Sequence, residues 1–200
     1  MYPPEKIVDM VSQYSDLGFD HFFFVDNTFN LPSLYAKSLC VQLAKADLDI
    51  TWRCILYPWK VDEGLVKWMA KAGCKEVALG CESGCEHILR TMNKRFNLQE
   101  VRRISQILKD YGIRQTGFLL LGGPGETKES VKESLLFVDS MDIETVKITV
   151  GIRIYPHTAL ARIAVRQGLI SADDDLLYPR FYLDKKTRKM AARNRKILVS

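Results

Sequence analysis

The chain has 200 residues, 47% of them hydrophobic and 26% charged. This is the balance of a globular domain with a real core rather than of a disordered or fibrous chain. No apolar run approaches the ~20 residues of a membrane-spanning helix, and Met1–Lys6 has no basic head leading into an apolar core, so neither a membrane partner nor a secretory signal is expected. The formal charge of +5 is concentrated at one end. Asp184–Ser200 holds seven basic residues (Lys185, Lys186, Arg188, Lys189, Arg193, Arg195, Lys196) and one acidic, against 22 basic and 23 acidic residues elsewhere, so the body offers no nucleic-acid footprint.

Pro3 and Pro4 suit a helical first turn. Ile7, Val8, Val11, Tyr14 and Leu17 then recur at helical spacing, and Gly18 stops the helix. Phe22–Val25 is continuously apolar, the pattern of a parallel strand buried on both faces. It runs out into Asp26-Asn-Thr-Phe-Asn30. Pro32 opens a second helix carrying Leu34, Leu39, Leu43 and Ala44.

Ile50–Tyr57 is rich in β-branched and aromatic residues and predicts the next strand, ended by Pro58. Asp62 is placed to cap a helix with Leu65, Val66, Trp68 and Met69 as its apolar stripe. The strand Val77–Leu79 leads into Gly80-Cys-Glu-Ser-Gly84, then a short helix over His87–Met92. A longer helix follows with Val101, Ile104, Ile107, Leu108 and Tyr111.

Ile113–Leu121 predicts a strand that leads into Gly122-Gly-Pro-Gly-Glu-Thr127. The helix after it is expected to bury Val131, Leu135, Leu136 and Val138. Val146–Tyr155 predicts the last strand, closed by Pro156, and Thr158–Gly168 the last helix. The pattern breaks down after Ile170. The expected organisation is a barrel-like core over residues 1–170 and a basic tail over 171–200.

Five strand–helix units after a leading helix imply an α/β fold with a parallel sheet and right-handed crossovers. A doubly wound open sheet and part of a (β/α) barrel both fit. Both place ligands at the carboxyl ends of strands. Polar groups recur there: Asp26 and Asn27, Tyr57, Glu82 and Ser83, Gly122 and Gly123 with Gly125, and Arg153, Tyr155 and His157. The glycine-rich loop lacks the lysine and spacing of a phosphate-binding loop, and Glu126 would repel an anion.

The five cysteines are an odd number scattered over helix and strand patterns, which points to a reducing compartment and a cytoplasmic location. Cys81 and Cys85 are too few to close a metal site, and no metal ligand is assigned. No histidine sits in a triad pattern, and no catalytic residue is assigned. The tail is open between an acidic or phosphate-bearing partner and a solvated end.

The motifs resemble the radical S-adenosylmethionine (SAM) superfamily, in the branch of the methylthiotransferases, oxygen-independent coproporphyrinogen oxidase and the cobalamin-binding radical SAM enzymes. The matching pieces are Pro4–Ile7, Phe23–Thr28, Ala72–Cys74, Gly80–Gly84, Gly122–Thr127 and Tyr155–Thr158. The resemblance implies a partial parallel barrel, with the strands here the second to sixth of six and the first strand missing. It implies SAM as cofactor. Asp26 and Asn27 would meet the methionyl amine, and Glu82 and Ser83 the ribose and carboxylate. Phe118 to Gly123, with Gly122, and Arg153 to Tyr155 would line the adenine pocket.

In the family a C-x-x-x-C-x-x-C loop holds a 4Fe–4S cluster that delivers the electron to SAM. The 200 residues contain no such motif. The expectation is therefore a chain inactive alone, a fragment whose partner would be the missing amino-terminal portion or another chain supplying the cluster loop. Two other readings are a non-catalytic half-barrel that binds SAM or a partner, and an unrelated α/β barrel enzyme for a phosphorylated substrate.

Overall fold

A computed structural model describes residues 2–187; of the basic tail, Arg188, Lys189, Arg193, Arg195 and Lys196 lie outside the described residues. The elements run α1 (Pro4–Asp16), β1 (His21–Phe24), α2 (Ser33–Ala46), β2 (Thr51–Leu56), α3 (Glu63–Lys71), β3 (Cys74–Glu82), α4 (Glu86–Thr91), α5 (Leu98–Asp110), β4 (Arg114–Leu121), α6 (Lys128–Asp139), β5 (Thr145–Val150), β6 (Ile152–Arg153), α7 (Ala159–Arg166) and β7 (Phe181–Tyr182). β1 to β5 form one sheet in sequence order. It is the expected α/β fold of parallel strand–helix units, consistent with a partial barrel.

The chain divides into two compact units. The first comprises Met1–Cys81, Arg95–Phe118 and Asp139–Val146, and the second Glu82–Lys94, Leu119–Val138 and Lys147–Ser200.

In the first unit α2 packs against α1 and α3, and α3 meets α5. The helix starts follow from local chemistry. Asp62 Oδ1 accepts from Leu65 N at 2.6 Å, the expected cap. Asn97 and Glu100 form a reciprocal capping box at α5 that the apolar periodicity did not reveal. Leu65, Val66 and Met69 form the buried stripe of α3, each worth about 1.5–3 kcal/mol of burial. Trp68, expected in that stripe, is only partly buried.

β2 and β3 are buried on one face, not two. On β2 the residues Trp52, Cys54 and Leu56 are buried while Thr51, Arg53 and Ile55 are not. On β3 Val77, Leu79 and Cys81 are buried and Glu76, Ala78 and Gly80 are partly open. Trp52 Nε1 donates to Ala72 O at the end of α3 at 2.6 Å, so the buried face is the helix-covered one.

β1 was expected to be buried on both sides, yet Phe23 is 46% exposed and the adjoining Val25 70%. β1 ends the sheet, and Phe23 aligns with Arg53 and, through it, Glu76 on the opposite face. Leu34 is another large apolar side chain left in the open. It sits in the first turn of α2, away from the stripe of Ala36, Leu39, Cys40 and Leu43, and is exposed.

In the second unit α6 buries Ser130, Val131, Ser134, Phe137 and Val138. Leu135 and Leu136, expected inside, are exposed, and two serines hold the inner positions instead. The predicted last strand, Val146–Tyr155, is in fact two. Gly151 takes φ +93°, a conformation that favours glycine, and ends the parallel ladder with its N–H donating to Leu121 O at 2.7 Å. Ile152 and Arg153 then pair antiparallel with Tyr182 and Phe181. Thr158 caps α7 by accepting from Ala161 N at 3.1 Å. Leu176 and Tyr182 join Ile154, Ala161 and Ala164 in one buried cluster, so the chain beyond Ile170 adds to this unit's core.

Candidate functional site

In the first unit Asp26 and Asn27 stand at the exit of β1, and Phe118 lies within β4. Asp26 lies two residues beyond β1 and lines a pocket of about 230 Å³ with Tyr2, Phe24, Phe29, Tyr35 and Leu39. The Tyr35 hydroxyl donates to Tyr2 O at 2.6 Å. Burial, then the Asp26 and Glu5 carboxylates, raise its pKa, so it remains a donor at neutral pH. The pocket thus combines aromatic walls with one carboxylate. Asn27 is exposed and Phe118 is partly buried on β4.

Asn30 holds this exit in place. It is fully buried. Its Nδ2 donates to Tyr57 O at 3.0 Å and Trp59 O at 2.9 Å, and its Oδ1 accepts from Tyr57 N at 2.9 Å. One side chain therefore stitches the segment after β1 to the segment after β2. Tyr57 in turn packs edge-on to Phe96 at 5.1 Å and accepts from Arg95 N through its hydroxyl. Sequence reading placed Asn30 in the polar exit, but a buried asparagine and a solvated one look alike in a sequence.

The remaining candidates fall in the second unit. Glu82, the last residue of β3, has φ +62°, an uncommon conformation for a residue with a side chain. Its carboxylate pairs with Lys94 at 2.9 Å, both side chains being about one-fifth exposed. Lys94 was not foreseen, because it lies beyond α4 in sequence.

Ser83 is fully buried and accepts from Cys85 N at 3.1 Å. Its hydroxyl lies 2.9 Å from that of Ser134, which also accepts from Gly84 N. The Ser134 proton is committed to Ser130 O at 2.9 Å, so Ser83 is the donor in the serine pair. Gly84 could be nothing else. A Cβ there would stand 2.4 Å from Phe137 Cβ and 2.6 Å from Ser134 Cα.

The glycine loop after β4 joins the same network. The Glu126 carboxylate is fully buried and accepts from Gly122 N at 2.5 Å and Gly123 N at 3.3 Å. Ser130 Oγ donates to its other oxygen at 3.3 Å. Burial raises the Glu126 pKa, and the Gly122, Gly123 and Ser130 hydrogen bonds only partly oppose that. The loop amides that a phosphate would need are thus taken by the loop's own carboxylate. A hydrogen-bonded spine runs from Gly122 and Gly123 through Glu126, Ser130 and Ser134 to Ser83 and Gly84. It ties together the two motif stretches most prominent in the sequence.

Arg153 and Tyr155 lie further along, with the guanidinium 4.9 Å from the Tyr155 ring centroid and the ring 54% exposed. His157 is exposed at φ +61°.

A family model described as the radical SAM superfamily matches residues 1–138, and the chain belongs to that superfamily. It is 27% identical over 167 residues to an uncharacterized methyltransferase of Pyrococcus horikoshii, covering 83% of this chain and 36% of that protein. It is 31% identical over 140 residues to the anaerobic magnesium-protoporphyrin IX monomethyl ester cyclase of Rubrivivax gelatinosus, covering 66% of this chain and 24% of that one. The fold matches the radical SAM methyltransferase TsrM from Kitasatospora setae, with cobalamin and a 4Fe–4S cluster bound, at a TM-score of 0.76 and 21% identity. That match covers 82% of this chain and 31% of TsrM. Coproporphyrinogen III oxidase (HemN) from Escherichia coli matches at 0.60 and 14% identity, over 87% and 39% of the respective chains. The chain therefore spans about a third of the length of these relatives.

The family uses SAM and a 4Fe–4S cluster. The described residues do not fit the cluster. No three His, Cys, Asp or Glu side chains among them stand together as a metal ligand set. Cys40, Cys54, Cys74 and Cys81 are buried. Burial pushes the Cys40 and Cys54 thiols up, away from the thiolate that iron requires. Among the described residues no helix is long and apolar enough to cross a membrane.

Proposed function

We propose that this chain is the SAM-binding portion of a radical SAM enzyme related to the methyltransferase and cobalamin-binding branches. The cluster ligands would come from residues other than those described, and the chain would not cleave SAM alone. The observation that carries this reading is the spine joining Gly80–Gly84 to Gly122–Thr127. These are the two stretches that bear the family resemblance, and the second unit spends its buried polar groups on fixing them.

In this reading Asp26 and Asn27 meet the methionyl amine, Glu82 the ribose and carboxylate end, and Phe118, Arg153 and Tyr155 the adenine. Ser83, Gly122 and Gly123 act by shaping the loops, since their hydroxyl and amides are already engaged. The proposed partner is a segment or chain carrying the cluster loop. Support comes from β1, which ends the sheet with Phe23 and Val25 exposed. An end strand keeps backbone donors and acceptors available for pairing.

The test is calorimetry with SAM on anaerobically purified chain, with iron assayed on the same sample after reconstitution. Saturable SAM binding with little iron, abolished in Glu82→Ala, is the expected result. Iron near ~4 per chain with SAM cleavage would mean that the chain builds its own cluster. Absence of SAM binding would remove the cofactor reading altogether.

A further inference from the structure

The amino-terminal ends of the strands in the first unit hold a second feature. His21, Thr51 and Arg114 are the first residues of β1, β2 and β4. With Phe23, Arg53, Lys75 and Glu76 they line a cleft of about 440 Å³. Asp26 and Asn27 follow the opposite, carboxyl-terminal end of β1, so this cleft belongs to a different part of the sheet.

Its charge is lopsided. Arg53, Lys75 and Arg114 face it with a single carboxylate, Glu76. Glu76 is itself engaged, accepting from Thr116 Oγ1 at 3.2 Å and standing 3.7 Å from the Arg114 guanidinium. That separation is a salt bridge but not a hydrogen bond, so Glu76 leaves the largely solvent-exposed guanidinium able to donate to a ligand.

Arg53 has no ion-pair partner among the described residues. Its guanidinium instead lies 4.7 Å from the centroid of the Phe23 ring, its neighbour in register. A ring beneath a guanidinium fixes its plane while leaving the N–H edge available. The body of the chain is close to neutral, so three cations in one cleft are not a consequence of overall composition.

We propose that this cleft is an oxyanion site for a small molecule bearing a phosphate or carboxylate group. Arg53 and Arg114 supply the forked donors, Lys75 adds charge, and Glu76 spaces the two guanidiniums. Planar paired donors of this kind suit oxyanions. The proposal does not depend on the cofactor reading, which concerns the other ends of the strands.

The experiment titrates the full chain with inorganic phosphate, and separately with citrate, at ionic strength held constant with sodium chloride. Binding is followed by calorimetry and by the shift in melting temperature. Saturable binding of phosphate, citrate or both is expected, and the stronger of the two identifies the anion class. Arg53→Gln and Arg114→Gln should each bind about tenfold more weakly, the order of one charge-assisted hydrogen bond, while Lys45→Gln on α2 should bind normally.

Both arginines are exposed, so these variants are expected to fold, as circular dichroism would verify. SAM titration of the same variants should be unchanged. No response beyond that of sodium chloride, or binding as tight as the parent's in both arginine variants, would overturn the proposal whatever the SAM result.

Discussion

The Ser83 and Ser134 hydroxyls lie 2.9 Å apart, in full burial, and join the exit of β3 to the middle of α6. Ser134 serves three groups at once: it donates to Ser130 O and accepts from Gly84 N and Ser83. Ser134→Ala would strand the Gly84 N–H and the Ser83 hydroxyl away from water. Each buried, unsatisfied donor costs about 1–3 kcal/mol. Urea denaturation of Ser134→Ala should reveal a loss of at least ~1 kcal/mol. Leu136→Ala, at an exposed position two residues along the same helix, should stay within ~0.5 kcal/mol of the parent. Reversed magnitudes would mean that α6 buries its leucines after all.

Gly84 is tested by the smallest possible addition. The Cβ of Gly84→Ala would collide with Phe137 Cβ and, at 2.6 Å, with the backbone Cα of Ser134. Backbone cannot swing aside as a side-chain tip can, so the helix or the loop must shift. Overpacking of this kind costs about 1–3 kcal/mol. The same shift should weaken SAM binding, because Glu82 lies two residues away. Melting temperature and SAM affinity are expected to fall together. A stable variant with unchanged affinity would separate loop shape from the cofactor reading.

Much of the architecture was legible because parallel strand–helix units advertise themselves through period and punctuation. Asp62 and Gly18 are local signals, and each does locally what its chemistry predicts, one capping α3 and the other taking φ +92° just past α1. The failures concern facing rather than existence. Phe22–Val25 reads as doubly buried because apolarity alone does not distinguish a core strand from one at the end of a sheet with an open face. Leu135 and Leu136 outrank Ser130 and Ser134 on any hydropathy scale, yet the serines hold the inner positions because the β3 and β4 exits need hydrogen-bond partners there. Gly151 was hidden inside a β-branched run, where only its φ of +93° reveals the break. Glu126 was read as a deterrent to anions. Its actual role, as an acceptor for Gly122 and Gly123, depends on a backbone turn that composition does not encode. Lys94 and Asn30 find their partners through tertiary folding alone.

Asn30 offers a test in the first unit. Its amide donates twice to carbonyls and accepts once from an N–H. Asn30→Ala leaves three backbone groups to be satisfied otherwise and should destabilise by about 2 kcal/mol or more. Asn30→Asp keeps the acceptor for Tyr57 N but points a carboxylate at the Tyr57 and Trp59 carbonyls. It should therefore be the worse variant at pH 7 despite being the closer in shape. Acidification should narrow the gap, since the protonated acid regains one donor. Equal losses at all pH values would argue that the bonds to the two carbonyls contribute little.

Glu126 carries a pH signature of definite sign. Burial holds its pKa above the ordinary value of 4.5, against the opposing pull of the Gly122, Gly123 and Ser130 hydrogen bonds. The folded chain thus holds this proton more tightly than the unfolded chain does. The associated stability is fully present below the unfolded value and is lost as pH rises through the folded one. Glu126→Gln cannot titrate, so its stability should lack this component. Urea midpoints of the parent and the variant, measured from pH 4 to pH 8 with SAM absent, should diverge as pH rises, with the parent falling relative to Glu126→Gln. The offset between the two curves also contains the repacking of glutamine against the glycine amides; the slope does not. Parallel curves would mean that the two amides and Ser130 compensate the burial fully. A parent that gains on the variant as pH rises would mean that they win, and that the loop is built to hold a carboxylate in its charged form.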